Sequence, residues 1–331
     1  MIAAVLEKIG ERLMVSNIEK PTLLQDEVLV EIIASAINHR DIYISKGEYA
    51  AIKTPCVLGS DGTGKIVEVG NSALNNHLGK EVIINPNNNW GDNENFQSNN
   101  YHILGMPTNG TFSQFVKVKV DRVHPKPNHL SFEEAAALPL AGLTAYRAIF
   151  TKGKLEPGQK VLINGIGGGV AQFAFLFAKA IGAEVFVTSG KPEKLQASKD
   201  MGADKGYYYT DENWHKQLNA EVGGVDLVID SAGGEGFGNL VKIINPGGRL
   251  VTYGGTRGKV TNLSPQILFW KQLNILGTTM GSDEDFKNML AFVSEKKIKP
   301  TVDKVFTLAN INEAFDYVNT QKQFGKVVIS A

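Results

Sequence analysis

The residues best equipped for chemistry stand in VLINGIGGGVAQFAFLFAKAIGA, Val161–Ala183. An apolar run ends in the five residues Gly165–Gly169, four of them glycine, and a long apolar helical pattern follows at once. A strand, a tight turn and a helix in that order aim the helix's free N–H groups and positive dipole end at whatever lies over the turn, and glycine lets a diphosphate approach the backbone. This context raises a weak Gly-x-Gly-x-x-Gly match to a dinucleotide-binding signal. The next apolar run, Glu184–Thr188, leads into Ser189, Gly190, Lys191, Pro192, Glu193 and Lys194. In NAD sites a carboxylate at the end of this strand accepts hydrogen bonds from the ribose, and it would repel a 2′-phosphate. Here that position is small and neutral, with two lysines beyond it, so NADPH is the favoured cofactor. NADH is the alternative if both lysines are solvated. Glu193 is compatible with NADPH if its helix position points away.

A second group with chemical potential is Asn38-His39-Arg40-Asp41. His39 reads either as a proton relay with Asp41, since imidazole titrates near neutral pH, or as a hydrogen-bonded structural group beside Arg40. Asp61 is expected to pair with a nearby base such as Arg40. His77, His102, His124, His129 and His215 are scattered and show no metal-ligand spacing. The one cysteine, Cys56, excludes an intrachain disulfide, and nothing near it argues for an activated thiol.

Two domains are expected of 331 residues. Lys+Arg 34 balance Asp+Glu 34, so no basic surplus exists to neutralise a nucleic-acid backbone. No apolar stretch is long enough to span a bilayer, and charges interrupt the apolar start, MIAAVLEKIGERLMV, unlike a secretory signal. With a single cysteine, a cytoplasmic setting is expected.

The elements that must position these groups change in texture along the chain. Residues 1–124 look β-rich, with Val28–Ile33, Gly64–Val69, Glu81–Ile84 and Phe112–Val120 as strands; two of these alternate as half-buried antiparallel strands do. Between them NPNNNWGDNENFQSNN, Asn85–Asn100, reads as a surface lobe with no core of its own. Ser131 and Glu134 form a Ser-x-x-Glu capping box before an apolar helix interrupted near Pro139. Strands and helices then alternate to Tyr253, as βαβ crossovers in a parallel sheet buried on both faces do. Asn245–Gly248, NPGG, reads as a turn between helix and strand. After Gly277 come two helices and two short strands.

This order of modules resembles the medium-chain dehydrogenase/reductase superfamily over nearly the whole chain. GSDGTGKIVEVG at Gly59–Gly70, AAALPLAGLTAY at Ala135–Tyr146, the glycine turn and GKVVIS near the end carry the resemblance. It implies an α/β protein: a GroES-like catalytic domain of residues 1–124 and 280–331, and a doubly wound Rossmann domain of residues 125–279. The tail would fold back onto the first domain, with the active site in the cleft between the two. The zinc enzymes of the superfamily hold catalytic zinc with Cys, His and a further Cys or acid. At those positions this chain has Asn38, Ser60 and about Ala141, and an amide, a hydroxyl and a methyl supply no such ligands. The Asn-rich stretch stands where those enzymes carry a four-cysteine zinc lobe. Asn-x-x-Asp followed by Gly-Ser-Asp is similar instead to the quinone oxidoreductase branch, as is Gly165, Gly168, Ala171 in the glycine turn, Ala171 being a mild departure.

The implied activity is metal-independent, NADPH-dependent hydride transfer to a quinone or an α,β-unsaturated carbonyl. Asn38, Tyr43 and Tyr49 match the family's acceptor-lining positions. Packing at a domain edge is the plainer role for the two tyrosines. Thr144, Gly165, Gly167, Gly168, Gly169, Val170, Tyr253 and Gly254 match cofactor positions. Ser189, Gly190, Lys194 and Tyr209 match the surroundings of the 2′-phosphate, and Phe269 and Trp270 lie near the carboxamide in relatives. Lys326 matches a basic position that reaches a cofactor phosphate in some members; a solvated lysine at a strand start is its other reading. The enzyme alternative is a zinc-independent alcohol dehydrogenase or carbonyl reductase. The non-enzyme alternative is an NADPH-binding protein without turnover. The resemblance also implies a homodimer through the edge strand Asn274–Thr279.

Overall fold

A computed structural model describes residues 1–331, which divide into one compact unit of Met1–Ala141 with Ser282–Ala331 and a second of Gly142–Gly281. No helix is long and apolar enough to cross a membrane.

In the first unit the strand Glu27–Ala36 lies at the centre of a seven-stranded sheet, flanked on one side by Asp61–Val69 and on the other by Lys326–Ser330. The sequence EVLVEIIASA explains that place. Its Val28, Leu29, Val30, Ile32, Ala34 and Ala36 are all buried, whereas Phe115–Lys119, paired along its first half, alternates between buried and partly exposed. The tail is a structural part of this sheet: Lys326–Ser330 pairs antiparallel with the central strand and parallel with Val302–Thr307.

The break between units falls after Ala141, later than the expected boundary at 124/125. The helix Phe132–Ala136, opened by the Ser131–Glu134 capping box, packs on the first unit's sheet, where Ala136 and Ala137 meet Ala34, Ala36 and Val328. Small residues on both surfaces allow that close approach, and Phe132 O accepts a hydrogen bond from Thr63 Oγ1 at 2.9 Å. The Asn-rich lobe also departs from expectation, because it has a small core. Trp90 is buried, its ring edge-on to Tyr101 at 5.3 Å, and its Nε1 donates to Asn93 O. Asparagine turns wrapped around one aromatic pair leave little apolar periodicity to read.

The second unit is a six-stranded parallel sheet in the order Lys205–Tyr208, Glu184–Ser189, Lys160–Ile163, Val225–Asp230, Ile244–Thr252, Asn274–Gly277. Val161, Leu162 and Ile163 are wholly buried, as a strand covered on both faces requires. The NPGG segment, expected as a turn, is a bulge within Ile244–Thr252. The ladder jumps from Val225↔Ile244 to Leu227↔Arg249, with Gly247 at φ 75° taking up the excess chain.

Candidate active site

Lys160–Ile163 has Glu184–Ser189 on one side and Val225–Asp230 on the other, so the glycine turn sits where the strand order reverses, the usual ligand position of open parallel sheets. Gly165 has φ 80°, a left-handed conformation that L side chains resist. The turn is braced by residues the motif alone does not reveal. Thr188 Oγ1 accepts the Gly165 N–H at 2.9 Å and donates to Asn164 Oδ1 at 2.6 Å; Asn164 Nδ2 donates to the buried Asp230 at 2.7 Å. Buried Gln172 donates through Nε2 to Ile166 O at 2.8 Å. The helix Gly169–Ala180 begins at Gly168, whose lack of a side chain leaves the first-turn N–H groups, including those of Gly169 and Val170, without a side-chain cap.

The four residues expected around a 2′-phosphate converge here. A Cβ built on Gly167 would lie 2.5 Å from Lys194 Nζ, and one on Gly190 would lie 2.8 Å from the Tyr209 hydroxyl. Ser189 Oγ accepts the Lys191 N–H at 3.1 Å and Ser189 O the Tyr209 N–H at 3.3 Å. Glu193 is exposed in the first turn of the helix Pro192–Asp200, while Lys194 lies over the glycine turn. Glycine at 167 and 190 thus makes room for an ammonium and a phenol, a donor set suited to phosphate.

Thr144 is buried and its Oγ1 donates to Met280 Sδ at 3.8 Å. Tyr253 follows the strand Ile244–Thr252 beside Ser231, and burial pushes its phenol up to about 12. A Cβ on Gly254 would meet Ser231 O at 3.0 Å, so this loop needs a bare backbone. Phe269 and Trp270, on the helix Pro265–Lys271, are 66% and 82% exposed.

In the first unit, sheet register builds the acceptor candidate. Val328 pairs with Ala36, and continuing the antiparallel register brings Lys326 opposite Asn38; Asp61 pairs with Ala36 from the other side. All three side chains are buried. Lys326 Nζ donates to Asn38 Oδ1 at 2.6 Å, to Asp61 Oδ2 at 2.9 Å and to Ile37 O at 2.9 Å. Asn38 Nδ2 donates to the same Asp61 Oδ2 at 2.9 Å, and Asp61 Oδ1 accepts the Leu140 N–H at 2.8 Å. Two expectations are corrected. The base that pairs with Asp61 is Lys326, not Arg40. Lys326 is not a solvated lysine, because all three ammonium hydrogens are taken within this unit and its side chain is 5% exposed.

Arg40 serves Ser60 in a similar way: Nη1 donates to Ser60 Oγ at 2.7 Å and to Leu104 O at 3.0 Å, while Nη2 reaches Met106 O at 3.4 Å. Its guanidinium lies 5.3 Å from the ring centre of the exposed Tyr49. Tyr43 is half-buried, 6.4 Å from the His39 ring. Asn38 caps the helix His39–Lys46, and Asp41 returns a carboxylate to the Asn38 N–H at 2.8 Å and to the Gly59 N–H at 3.3 Å. Burial raises the Asp41 pKa, opposed by Arg40 and by these N–H groups. With both oxygens on backbone and no exposure, Asp41 is a structural cap, whereas His39 is exposed. Tyr101, absent from the sequence reading, donates to Asn87 Oδ1 at 2.6 Å; burial raises its pKa, with Arg40 and Tyr49 near enough to act on it.

No group of three or more His, Cys, Asp or Glu side chains could hold a metal ion. The oxygens of Asn38 and Ser60, at two expected ligand positions, each face a buried cation, and Ala141 brings a methyl. A metal there would meet Lys326 and Arg40 with no thiolate, imidazole or free carboxylate to bind it, so the site does not fit zinc.

Comparison with known proteins agrees with this architecture. Residues 24–128 match the alcohol dehydrogenase GroES-like domain and residues 169–295 the zinc-binding dehydrogenase family. The chain is 35% identical over 342 residues to a zinc-type alcohol dehydrogenase-like protein, YogA, of Leptosphaeria maculans, covering 96% of this chain and 94% of that one. It is 30% identical over 312 residues to an acryloyl-coenzyme A reductase of Sulfurisphaera tokodaii, covering 92% of each. A crystal structure of an NAD-dependent alcohol dehydrogenase superposes with a TM-score of 0.92 at 35% identity, covering 100% of both chains.

Proposed function

Because the chain belongs to the medium-chain dehydrogenase/reductase superfamily, an oxidoreductase family, we propose that it is an NADPH-dependent, metal-independent reductase of quinones or α,β-unsaturated carbonyls. The observation that carries this reading is the wiring of Asn38 and Ser60 to buried cations, Lys326 and Arg40, where a zinc enzyme would present ligands. An enone or quinone suits such a site because its conjugation already spreads the charge that arrives with hydride. A simple carbonyl would need stronger polarisation at its oxygen. The name of the acryloyl-coenzyme A reductase relative, which denotes reduction of a conjugated C=C, supports the same acceptor class.

In this reading the glycine turn and the first N–H groups of Gly169–Ala180 bind the diphosphate. Lys194, Tyr209 and Ser189 bind the 2′-phosphate. NADPH held there would supply a hydride to the acceptor carbon and leave as NADP⁺, the acceptor's π electrons would move to its oxygen, and solvent would supply the proton. The Asn38 amide donates a hydrogen bond to that oxygen as charge gathers on it, the kind of fixed donor that lowers such barriers most. Tyr43 and Tyr49 orient the acceptor ring or chain. Two copies pair through the sheet edge at Asn274–Gly277.

The test is NADPH oxidation with 1,4-benzoquinone, 9,10-phenanthrenequinone and a simple enone, each with and without chelator. Turnover unaffected by chelator is expected. Tight NADPH binding without turnover on any acceptor would overturn the reductase reading, and loss of activity with chelator the metal-independent one. Turnover confined to simple aldehydes or ketones would favour an alcohol dehydrogenase.

A further inference from the structure

The buried group at Asn38 contains an orientation that only one arrangement of charges allows. A carboxamide carries an acceptor oxygen at one end and two donor hydrogens at the other. Lys326 offers only donors and Asp61, when ionised, only acceptors. The oxygen of Asn38 must therefore face Lys326 and the nitrogen Asp61, because the flipped amide would set N–H against ammonium and C=O against carboxylate. The distances of 2.6 Å and 2.9 Å fit this arrangement. Asp61 takes one Nδ2 hydrogen and no protein group accepts the other. Asn38 as a residue is 7% exposed, and its side chain is locked by these two bonds.

We propose that Lys326 and Asp61 are positioning residues that fix the Asn38 carboxamide, so that its second Nδ2 hydrogen is the donor for the acceptor's oxygen and the Lys326 charge strengthens it. An ammonium on the amide oxygen draws electron density from the nitrogen, making the remaining N–H a stronger donor, as hydrogen-bond chains in a low-dielectric interior do. This rests on the reductase reading above and says how the polarisation arises without a metal. The ionic charges around Asn38 also balance: Lys326 and Arg40 against Asp41 and Asp61, all four side chains buried. The ammonium therefore needs no further counter-ion, and its effect is directed through the amide. Asp61 and Lys326 open the two strands that flank Glu27–Ala36, and Asn38 stands two residues beyond that strand's end, so the sheet itself holds the geometry.

Lys326→Met should lower kcat on quinone or enone by about tenfold or more, short of the loss on the order of 10²–10³ seen when an oxyanion donor is removed outright. KM for NADPH and for the acceptor should each move less than about twofold, since the amide's extra strength is realised only as charge develops. Lys326→Arg, which keeps a charged donor, should recover part of the loss. Because the methionine variant leaves Asp61 as an uncompensated buried charge, which destabilises folding, the double variant Lys326→Met/Asp61→Leu removes both charges together, an exchange buried pairs often tolerate. It should keep the wild-type circular dichroism and lose kcat. A further readout does not depend on turnover: wild-type protein should give a slowly exchanging lysine NH₃⁺ signal by ¹H–¹⁵N NMR that is missing from Lys326→Met. Wild-type kcat in a folded double variant would overturn the proposal alone. So would a rise in KM for NADPH at unchanged kcat, which would make Lys326 a cofactor ligand, or absence of the NH₃⁺ signal in wild-type protein. Wild-type protein inactive on every acceptor would overturn the reductase reading, and this proposal with it.

Discussion

At the scale of single residues, identical side-chain types do different work because burial and neighbours differ. Lys194 and Lys326 both looked suited to a cofactor phosphate. One lies over a glycine, and the other is spent on a carbonyl, an amide and a carboxylate. If Lys194 binds the 2′-phosphate, Lys194→Ala should raise KM for NADPH on the order of tenfold or more, the size of one charge-assisted hydrogen bond, and leave NADH nearly unchanged. Steady-state kinetics with both cofactors decide it; equal losses for both would place the lysine elsewhere. Cys56 makes a contrasting prediction. Burial pushes its thiol up to about 11, and Sγ sits 3.7 Å from Gly105 O. At pH 8 almost no thiolate exists and the sulfur is covered, so a colorimetric disulfide reagent should find no reactive thiol in folded protein and one per chain after denaturation. Rapid labelling of native protein would contradict the buried placement.

Among the elements, the strand–turn–helix around Gly165 was legible in the sequence because its parts are contiguous and its periodicity changes at the turn. The braces were not. Thr188 and Asp230 come from the two flanking strands and look like ordinary strand residues until the parallel register sets them beside Asn164. Asn38 was legible as a motif residue, but its partners come from the sheet neighbours of one strand and cannot be paired from spacing. The expected Arg40–Asp61 pair failed for that reason: Arg40 lies nearer in sequence, but Lys326 is closer across the ladder. Two substitutions separate the turn's conformation from its bracing. Gly165→Ala forces a methyl into a left-handed residue and should cost about 1–2 kcal/mol, read as a lowered thermal midpoint. Thr188→Val keeps the shape but removes the oxygen that accepts the Gly165 N–H, and should weaken NADPH binding several-fold with kcat at saturation unchanged. Calorimetric titration checks it; unaltered affinity would show that the turn holds without its brace.

Across the whole molecule, the parallel sheet ends at Asn274–Gly277, which pairs only with Ile244–Thr252 and leaves its other edge open. Ile275 on that strand is 36% exposed, and the helix just before it, Pro265–Lys271, presents Phe269 and Trp270. An open edge with apolar residues invites pairing with any extended chain, and natural proteins cover such edges or guard them with charge. A second copy offering the same edge across a two-fold axis satisfies both strands at once and closes the assembly. Light scattering on the wild-type protein should therefore give twice the chain's 35.9 kDa. Ile275→Lys puts a charge on the edge and should shift the protein toward monomer, because a lysine beside its symmetry mate costs both copies desolvation and repulsion. Retained NADPH affinity in that monomer would show that the glycine turn and the Lys194 cluster work within one chain. A wild-type monomer at micromolar concentration would mean the edge is left bare, and precipitation rather than pairing would then be its expected fate.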